Sequence, residues 1–418
     1  MCHIKISYSM EGDFLQKVLI IATYYMPIQS VASNRINAFA KYLHEYGYDV
    51  TVLTCSCGEY RGESLENGIK VIRVQADNKG ILVPLNTKKA ESRAVHYAKC
   101  LYNILLSNLI MDSSAMWTEK ATKVALNLME TERFNYVMTS ALPIGPHIIG
   151  LKLKNMYTHI KWIADMRDAI SEPREKTVFY KYRIRIFEKK VLDKCDYLLA
   201  VSKPQLELFR SHYKGRELDK FYQIRNGFDY AFLPVRRKSK KATFSIIYAG
   251  SFYGARKPKN FFQALLNVLD KSSMNISVRI IGNKAPISIP DELKEVVTEE
   301  AALSYDEICE EMRHADALLM ITPSCLEKGI YTGKLFDYLG SGTPIIALAP
   351  PNDVAGQLVL KARAGYVAAN EDIREIEKVI EKAYQDWEGD VSLDIDESIV
   401  LAHHRKAQVN RLVHILKQ

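Results

Sequence analysis

KVLIIATYYMPIQSVASNRINAFAKYLHEYGYDVTVLT, residues 17–54, opens with an apolar run of strand length, KVLIIATYY. A helical pattern follows, with Ile36, Phe39, Ala40 and Leu43 on one face, and it stops at Gly47. DVTVLT (49–54) then reads as a second strand. Strand, helix and strand within about 38 residues make a βαβ unit, which dictates a parallel sheet.

Working outward, KVIRV, NYVMTS, KWIADM and YLLAVS are further strand candidates, several separated by helical stretches. The pattern restarts after RRKSKK (236–241), a charged segment suited to a linker. FSIIYAG (244–250) is a strand ending in glycine, followed by a helical FFQALLNVL, a strand SVRIIG and a helical SYDEICEEMRHA. Then come a strand ALLMIT, a helix in TGKLFDYLG, and strands PIIALA and GYVAA. The expectation is an α/β chain with two doubly wound parallel-sheet domains in tandem, residues 1–232 and 233–398, and a last helix within 399–418. Ligands of such folds bind beyond the carboxyl ends of the strands.

The 418 residues are 48% hydrophobic and 25% charged, ordinary for a globular protein of two or three domains. No apolar run approaches the ~20 residues of a membrane helix, and MCHIKISYSMEGD has no apolar core of a secretory signal. The seven scattered Cys, with only Cys55 and Cys57 close together, read as thiols of a reducing cytoplasm rather than as a metal cluster. Net charge is +8, but residues 1–232 carry +9 and the remainder −1. Such a half is either simply basic and soluble or faces a membrane or another polyanion.

TGKLFDYLGSGTP (332–344) places Gly333, Lys334 and Asp337 in the first turn and a half of a helix. It is either an ordinary helix start or a phosphate cradle, since free N–H groups and the helix dipole favour an anion there.

Four segments together resemble the retaining glycosyltransferases of the GT-B fold, family 4. They are the 17–54 unit, IRNGFD (224–229), YAGSFYGARKP (248–258) and TPSCLEKGIYTGKLFDYLGSGTPIIA (322–347). The resemblance covers nearly the whole chain. It implies two Rossmann-like domains facing across a cleft, the first on the acceptor side and the second binding a nucleotide sugar. The last helix would cross back to the first domain. It also implies a metal-independent transferase without a cofactor, using a UDP- or GDP-sugar as donor. Asp394 and Asp396, the one D-x-D, read as solvated surface.

In this likeness Glu327 takes the position that contacts donor-sugar hydroxyls and Asp337 the one that holds the ribose diol. Their spacing is nine residues where the family has seven. In the diphosphate loop, Gly250 is followed by Ser251 where the family has Arg, and Arg256 takes the place of its Lys. Lys334, beside the amides of Gly333 and Leu335, would supply the missing cation. Gln29, Ser30 and Ala32 stand where family members have glycine near the donor. His147 stands where the family has a His near the reacting sugar. A lone His at an apolar helix start is otherwise a packed core residue. Asp165, Arg167 and Asp168, in WIADMRDAI, follow a strand end. They either line the acceptor side or form a structural Asp–Arg pair.

SEPREKTVFYKYRIRIFEKKVLDK (171–194) reads as a basic helix with aromatic anchors. Either it docks on anionic lipid headgroups or its charge is a solvated face. No nucleic-acid motif accompanies it. The likeness thus implies a cytoplasmic enzyme, peripheral at the inner face of the membrane. It would transfer a sugar with retention to a hydroxyl of a growing, lipid-linked surface glycan. A sugar-nucleotide epimerase of the same fold and a catalytically degenerate partner subunit are the alternatives.

Overall fold

The computed structural model describes the chain apart from residues 1–15, 29, 77–113, 168, 171–177, 214, 216–218, 233–241, 253–255, 323–328 and 330. The N-terminal stretch, the RRKSKK linker, Gln29, Asp168 and Glu327 therefore lie outside the described residues. The chain divides into two compact units. Unit 1 comprises residues 1–200, 206–222 and 413–418, and unit 2 residues 201–205 and 223–412.

Unit 1 contains β1 (Lys17–Ile21), α1 (Val31–Glu45), β2 (Asp49–Cys55), β3 (Gly62–Glu66), β4 (Ile69–Val74) and α2 (Ala115–Thr131). It continues with β5 (Tyr136–Ser140), α3 (Gly145–Met156), β6 (Lys161–Arg167), α4 (Val178–Lys194), β7 (Tyr197–Ala200), most of α5 (Lys203–His212) and β8 (Phe221–Gln223, at the boundary). The sheet order is β3-β4-β2-β1-β5-β6-β7-β8. Leu19 sits opposite Thr51 on one side and Val137 on the other, both in parallel register. β3 alone is shown antiparallel, against β4. Val18, Leu19, Ile20 and Ile21 are fully buried because a central parallel strand is covered on both faces, which is why VLII is continuously apolar.

The expected face of α1, Ile36, Phe39, Ala40 and Leu43, is the buried one. Ser30 and Ser33 close a capping box at its start. Gly47 ends the turn with φ +87°, a conformation that costs a residue with a Cβ. Tyr136 Oη donates to Leu416 O at 3.0 Å, tying the chain's end into this unit.

Unit 2 contains β9 (Phe244–Ala249), α6 (Lys259–Lys271), β10 (Ile276–Ile281), β11 (Val297–Glu300), α7 (Tyr305–His314), β12 (Ala317–Ile321) and α8 (Gly333–Ser341). Then follow β13 (Ile345–Leu348), α9 (Val354–Lys361), β14 (Gly365–Ala368), α10 (Ile373–Glu388), α11 (Glu397–Leu401) and α12 (Arg405–Leu416), whose last residues belong to unit 1. The six-stranded order is β11-β10-β9-β12-β13-β14, with every pairing parallel. In each sheet the strand order reverses beside the first strand, β1 in one and β9 in the other. The crevice at the carboxyl end of that strand is where this architecture leaves room for a ligand. No helix among the described residues is long and apolar enough to cross a membrane.

Candidate functional site

β9 ends at Ala249, and Gly250 turns the chain with φ +98°. The turn brings the backbone against the first turn of α8. A Cβ at Gly250 would stand 3.0 Å from Lys334 Cε and 3.3 Å from its Nζ. Glycine is needed there both for the backbone angle and for the space. Lys334 Nζ lies 3.6 Å from the centroid of the Tyr248 ring, a cation–π contact. That nitrogen is buried and has no hydrogen-bond partner. Burial first, and then the nearby charge of Arg256, push its pKa from 10.5 down to about 7. Two cations therefore converge on a glycine turn, and no carboxylate pairs with Lys334 among the described residues. That arrangement is costly unless an anion completes it.

The helix itself points the same way. Of the nine residues of α8, Gly333, Lys334 and Asp337 are the ones not buried. Thr332, the N-cap residue, makes no side-chain cap; its hydroxyl faces Met320 Sδ instead. The first-turn amides are thus not closed off by their own cap. Leu335 differs from expectation, because its N–H turns back to Thr332 O at 3.2 Å.

Asp337, three residues on from Lys334, accepts a hydrogen bond from Tyr305 Oη at 2.8 Å. Burial raises its pKa to about 6, against the opposing pull of Arg405 and the Tyr305 bond. Tyr230 Oη donates to the Asp337 backbone carbonyl. One carboxylate oxygen is thus held by a tyrosine. Ser251 is used locally: its Oγ donates to Asn283 Oδ1 at 3.2 Å and accepts from Lys284 N at 3.0 Å. Asn283 also accepts from the amides of Phe252 and Ala285, so it sets the loop that follows β10 against the loop that follows β9.

In unit 1 the expectations fare differently. Asp165 does not line an acceptor surface. It is 0% exposed and accepts from Arg35 Nε at 3.0 Å, from Arg35 Nη2 at 2.8 Å and from Ser140 Oγ at 2.8 Å. Burial alone would raise its pKa, but the charge and hydrogen bonds of Arg35 hold it below the usual carboxylate value. The pair fastens α1 to β6. His147 is likewise fully buried. Trp162 Nε1 donates to Thr139 Oγ1 at 2.8 Å, which leaves the Thr139 hydroxyl to donate to His147 Nδ1 at 2.6 Å. Burial drives the ring's pKa down to about 3, so it is neutral and reaches no solvent. Ser30 Oγ is engaged with Ser33 N as the helix cap. Arg167, at φ +58°, donates to Leu142 O at 3.2 Å from the end of β6.

Neither a protein-family model nor a curated protein matches this sequence. Solved structures do. A sucrose-phosphate synthase from Thermosynechococcus elongatus superimposes with a TM-score of 0.67 at 16% identity, over 96% of this chain and 98% of that one. The lipopolysaccharide outer core galactosyltransferase WaaB, in its apo form, gives 0.60 at 14% identity, over 96% and 99%. A structure from E. coli described as trehalose-6-phosphate bound with UDP-2-fluoro glucose gives 0.64 at 11% identity, over 96% and 99%. The chain has the GT-B fold.

Within this GT-B chain the sequence pointed to Gly250, Arg256, Gly333, Lys334 and Asp337, and the structure gathers these around the β9 turn and α8. It missed Tyr248, Asn283 and Tyr305, whose roles need the fold. Nothing in the FSIIYAG strand singles out Tyr248, and Tyr305 reads as the first residue of an amphipathic helix. Arg35 was visible on its helix, but its partner lies 130 residues away.

Proposed function

We propose that the protein is a glycosyltransferase that moves a sugar from a UDP- or GDP-sugar to an acceptor hydroxyl, with retention at the anomeric carbon. The observation that carries this reading is the buried, unpartnered Lys334 ammonium packed beside Gly250 at the carboxyl end of β9, within the field of the Arg256 charge. A diphosphate is the group that fits two converging cations and an uncapped helix start. In the reaction the bond from the anomeric carbon to the diphosphate oxygen breaks as the acceptor oxygen bonds to the same face. The acceptor's proton passes to the departing phosphate oxygen. Negative charge grows on the diphosphate through this step, so fixed cations at Lys334 and Arg256 lower the barrier. Asp337 keeps one carboxylate oxygen for the ribose diol, and Gly333 offers its amide to the phosphate. Glu327 would contact the donor sugar.

The acceptor in this reading is a growing lipid-linked glycan, reached from the cytoplasmic face. The exposed side of α4 supports attachment there. Val178, Phe179 and Tyr182 are 85%, 59% and 64% exposed, and Ile186 extends the same stripe. Arg185, Lys189, Lys190 and Lys194 are exposed beyond it. Apolar anchors flanked by cations match the headgroup layer of an anionic membrane.

The test is a panel of UDP- and GDP-sugars scored for thermal stabilisation, followed by product analysis with and without acceptor. Stabilisation by one nucleotide family and acceptor-dependent transfer with retained configuration are expected. A product formed from donor alone would make the protein an epimerase, and no stabilisation by any donor would reject the reading.

A further inference from the structure

Unit 1 contains a cavity of about 370 Å³ that the donor chemistry does not use. It opens at the carboxyl ends of β1, β2 and β4, beside the reversal of strand order. Thr23 comes from the turn after β1, Ser56 from the turn after β2, Gln75 from the end of β4 and Trp117 from α2. Its volume falls within the range of small-molecule pockets, about 300–1,000 Å³.

Three lining residues carry a buried polar atom with no hydrogen-bond partner: Thr23 Oγ1, Ser56 Oγ and Trp117 Nε1. Thr23 and Trp117 are more than nine-tenths buried. Native interiors satisfy such groups, and three around one cavity is unusual. The indole N–H can only donate, and the two hydroxyls can donate or accept. Arg61 adds a guanidinium whose Nε donates to the nearby Gly58 O, leaving further N–H groups at the rim. Among the described residues no Asp or Glu lines the cavity, and Gln75 is the one side chain there with an amide carbonyl. A neutral sugar presents hydroxyls that need acceptors as much as donors. The Trp117 indole N–H and the Arg61 guanidinium can only donate, and no carboxylate opposes them among the described lining, so the cavity suits a ligand with charged oxygens.

We propose that the cavity is a binding site for a sugar bearing a carboxylate or a phosphate, held by the Arg61 guanidinium and the free donors of Trp117, Thr23 and Ser56. This deepens the glycosyltransferase reading, on which it rests for one point alone: that the bound sugar is the acceptor end. The binding itself does not depend on that point.

Calorimetric titration of the full chain without nucleotide tests it. The probes are methyl α-D-glucuronide, glucose 6-phosphate and, as the neutral control, methyl α-D-glucoside. Saturable binding of at least one anionic probe is expected, with the neutral glycoside weaker by about tenfold, the worth of one charge-assisted hydrogen bond. Carboxylate and phosphate are distinguished by which probe binds. Arg61→Ala should weaken that binding by about tenfold or more, and Trp117→Phe should weaken it while keeping the ring's volume. Both variants should bind UDP or GDP as the parent does. Equal affinity for the neutral glycoside, or anionic binding that survives Arg61→Ala undiminished, overturns the proposal; Arg61 is exposed, so that variant folds even if Trp117→Phe does not. Absence of sugar binding with nucleotide binding intact overturns this proposal alone. Loss of nucleotide binding with the sugar site intact overturns the donor reading instead.

Discussion

Lys334 Nζ lies 3.6 Å from the centre of the Tyr248 ring, so an aromatic face, and no oxygen, is what the ammonium meets in the folded chain. An aromatic quadrupole offsets only part of the cost of burying a cation. Removing the cation therefore has opposite effects on stability and on activity. Lys334→Ala should leave the melting temperature of the unliganded protein equal or higher. It should lower transfer by about 10²-fold, as does the loss of one donor to a developing oxyanion. Thermal unfolding and turnover measured side by side check this. Full turnover with a lower melting temperature would make Lys334 a structural residue.

The same burial makes stability and binding depend on pH. The pKa of Lys334 is lowered from 10.5 to about 7 by burial and then by Arg256. The unfolded chain thus binds more protons between those values, and this residue makes stability rise with pH from about 7 to about 10. A bound diphosphate favours the charged amine again. Binding of UDP or GDP at about pH 8 should take up close to one proton, and affinity should fall as pH rises further. Calorimetry in buffers of different ionisation enthalpy reads the proton count. An uptake that persists unchanged in Lys334→Ala would assign it to another group.

Gly250→Ala adds a methyl 3.0 Å from Lys334 Cε at a backbone φ of +98°. The left-handed backbone costs about 1–2 kcal/mol for a residue with a Cβ. Nucleotide affinity should drop as the amine is displaced. In the double variant with Lys334→Ala the steric part of the stability loss should disappear while the backbone part stays. Denaturant melts of the four proteins give the coupling.

How much of this could be read before folding depended on sequence distance. The βαβ unit at 17–54, the restart at 244 and the α8 segment were legible, because period and punctuation are local. β11 was not, since VTEE is a polar edge strand with no apolar signature. Gly250, Lys334 and Asp337 were legible as candidates through their motifs. That Lys334 has no acceptor was not, because it depends on what three separate strands and helices bring near it. Asp165 was ambiguous because Arg35, which bonds both of its carboxylate oxygens, lies 130 residues earlier.

That pair gives a further prediction. Arg35 is 4% exposed and Asp165 0%. Asp165→Asn leaves the guanidinium buried without its counter-charge, which should destabilise the protein by about 3–5 kcal/mol. Equilibrium unfolding measures it. A loss within about 0.5 kcal/mol, the size of ordinary surface changes, would mean that water reaches the pair.

The α4 face predicts salt-sensitive binding to vesicles containing anionic lipid. Phe179→Ser with Tyr182→Ser should remove the apolar contribution, and neutralising Lys189 and Lys190 should remove about 1 kcal/mol per charge. Sedimentation with vesicles at low and high salt checks it. Intact protein that ignores anionic vesicles at low salt contradicts membrane attachment.

The most direct test of the donor site is titration of the full chain with UDP and with GDP, for the parent and for Lys334→Ala. Saturable binding of one of the two by the parent, and a loss of about tenfold or more in the variant, are expected. Binding of neither nucleotide, or equal binding by parent and variant, would contradict the donor reading.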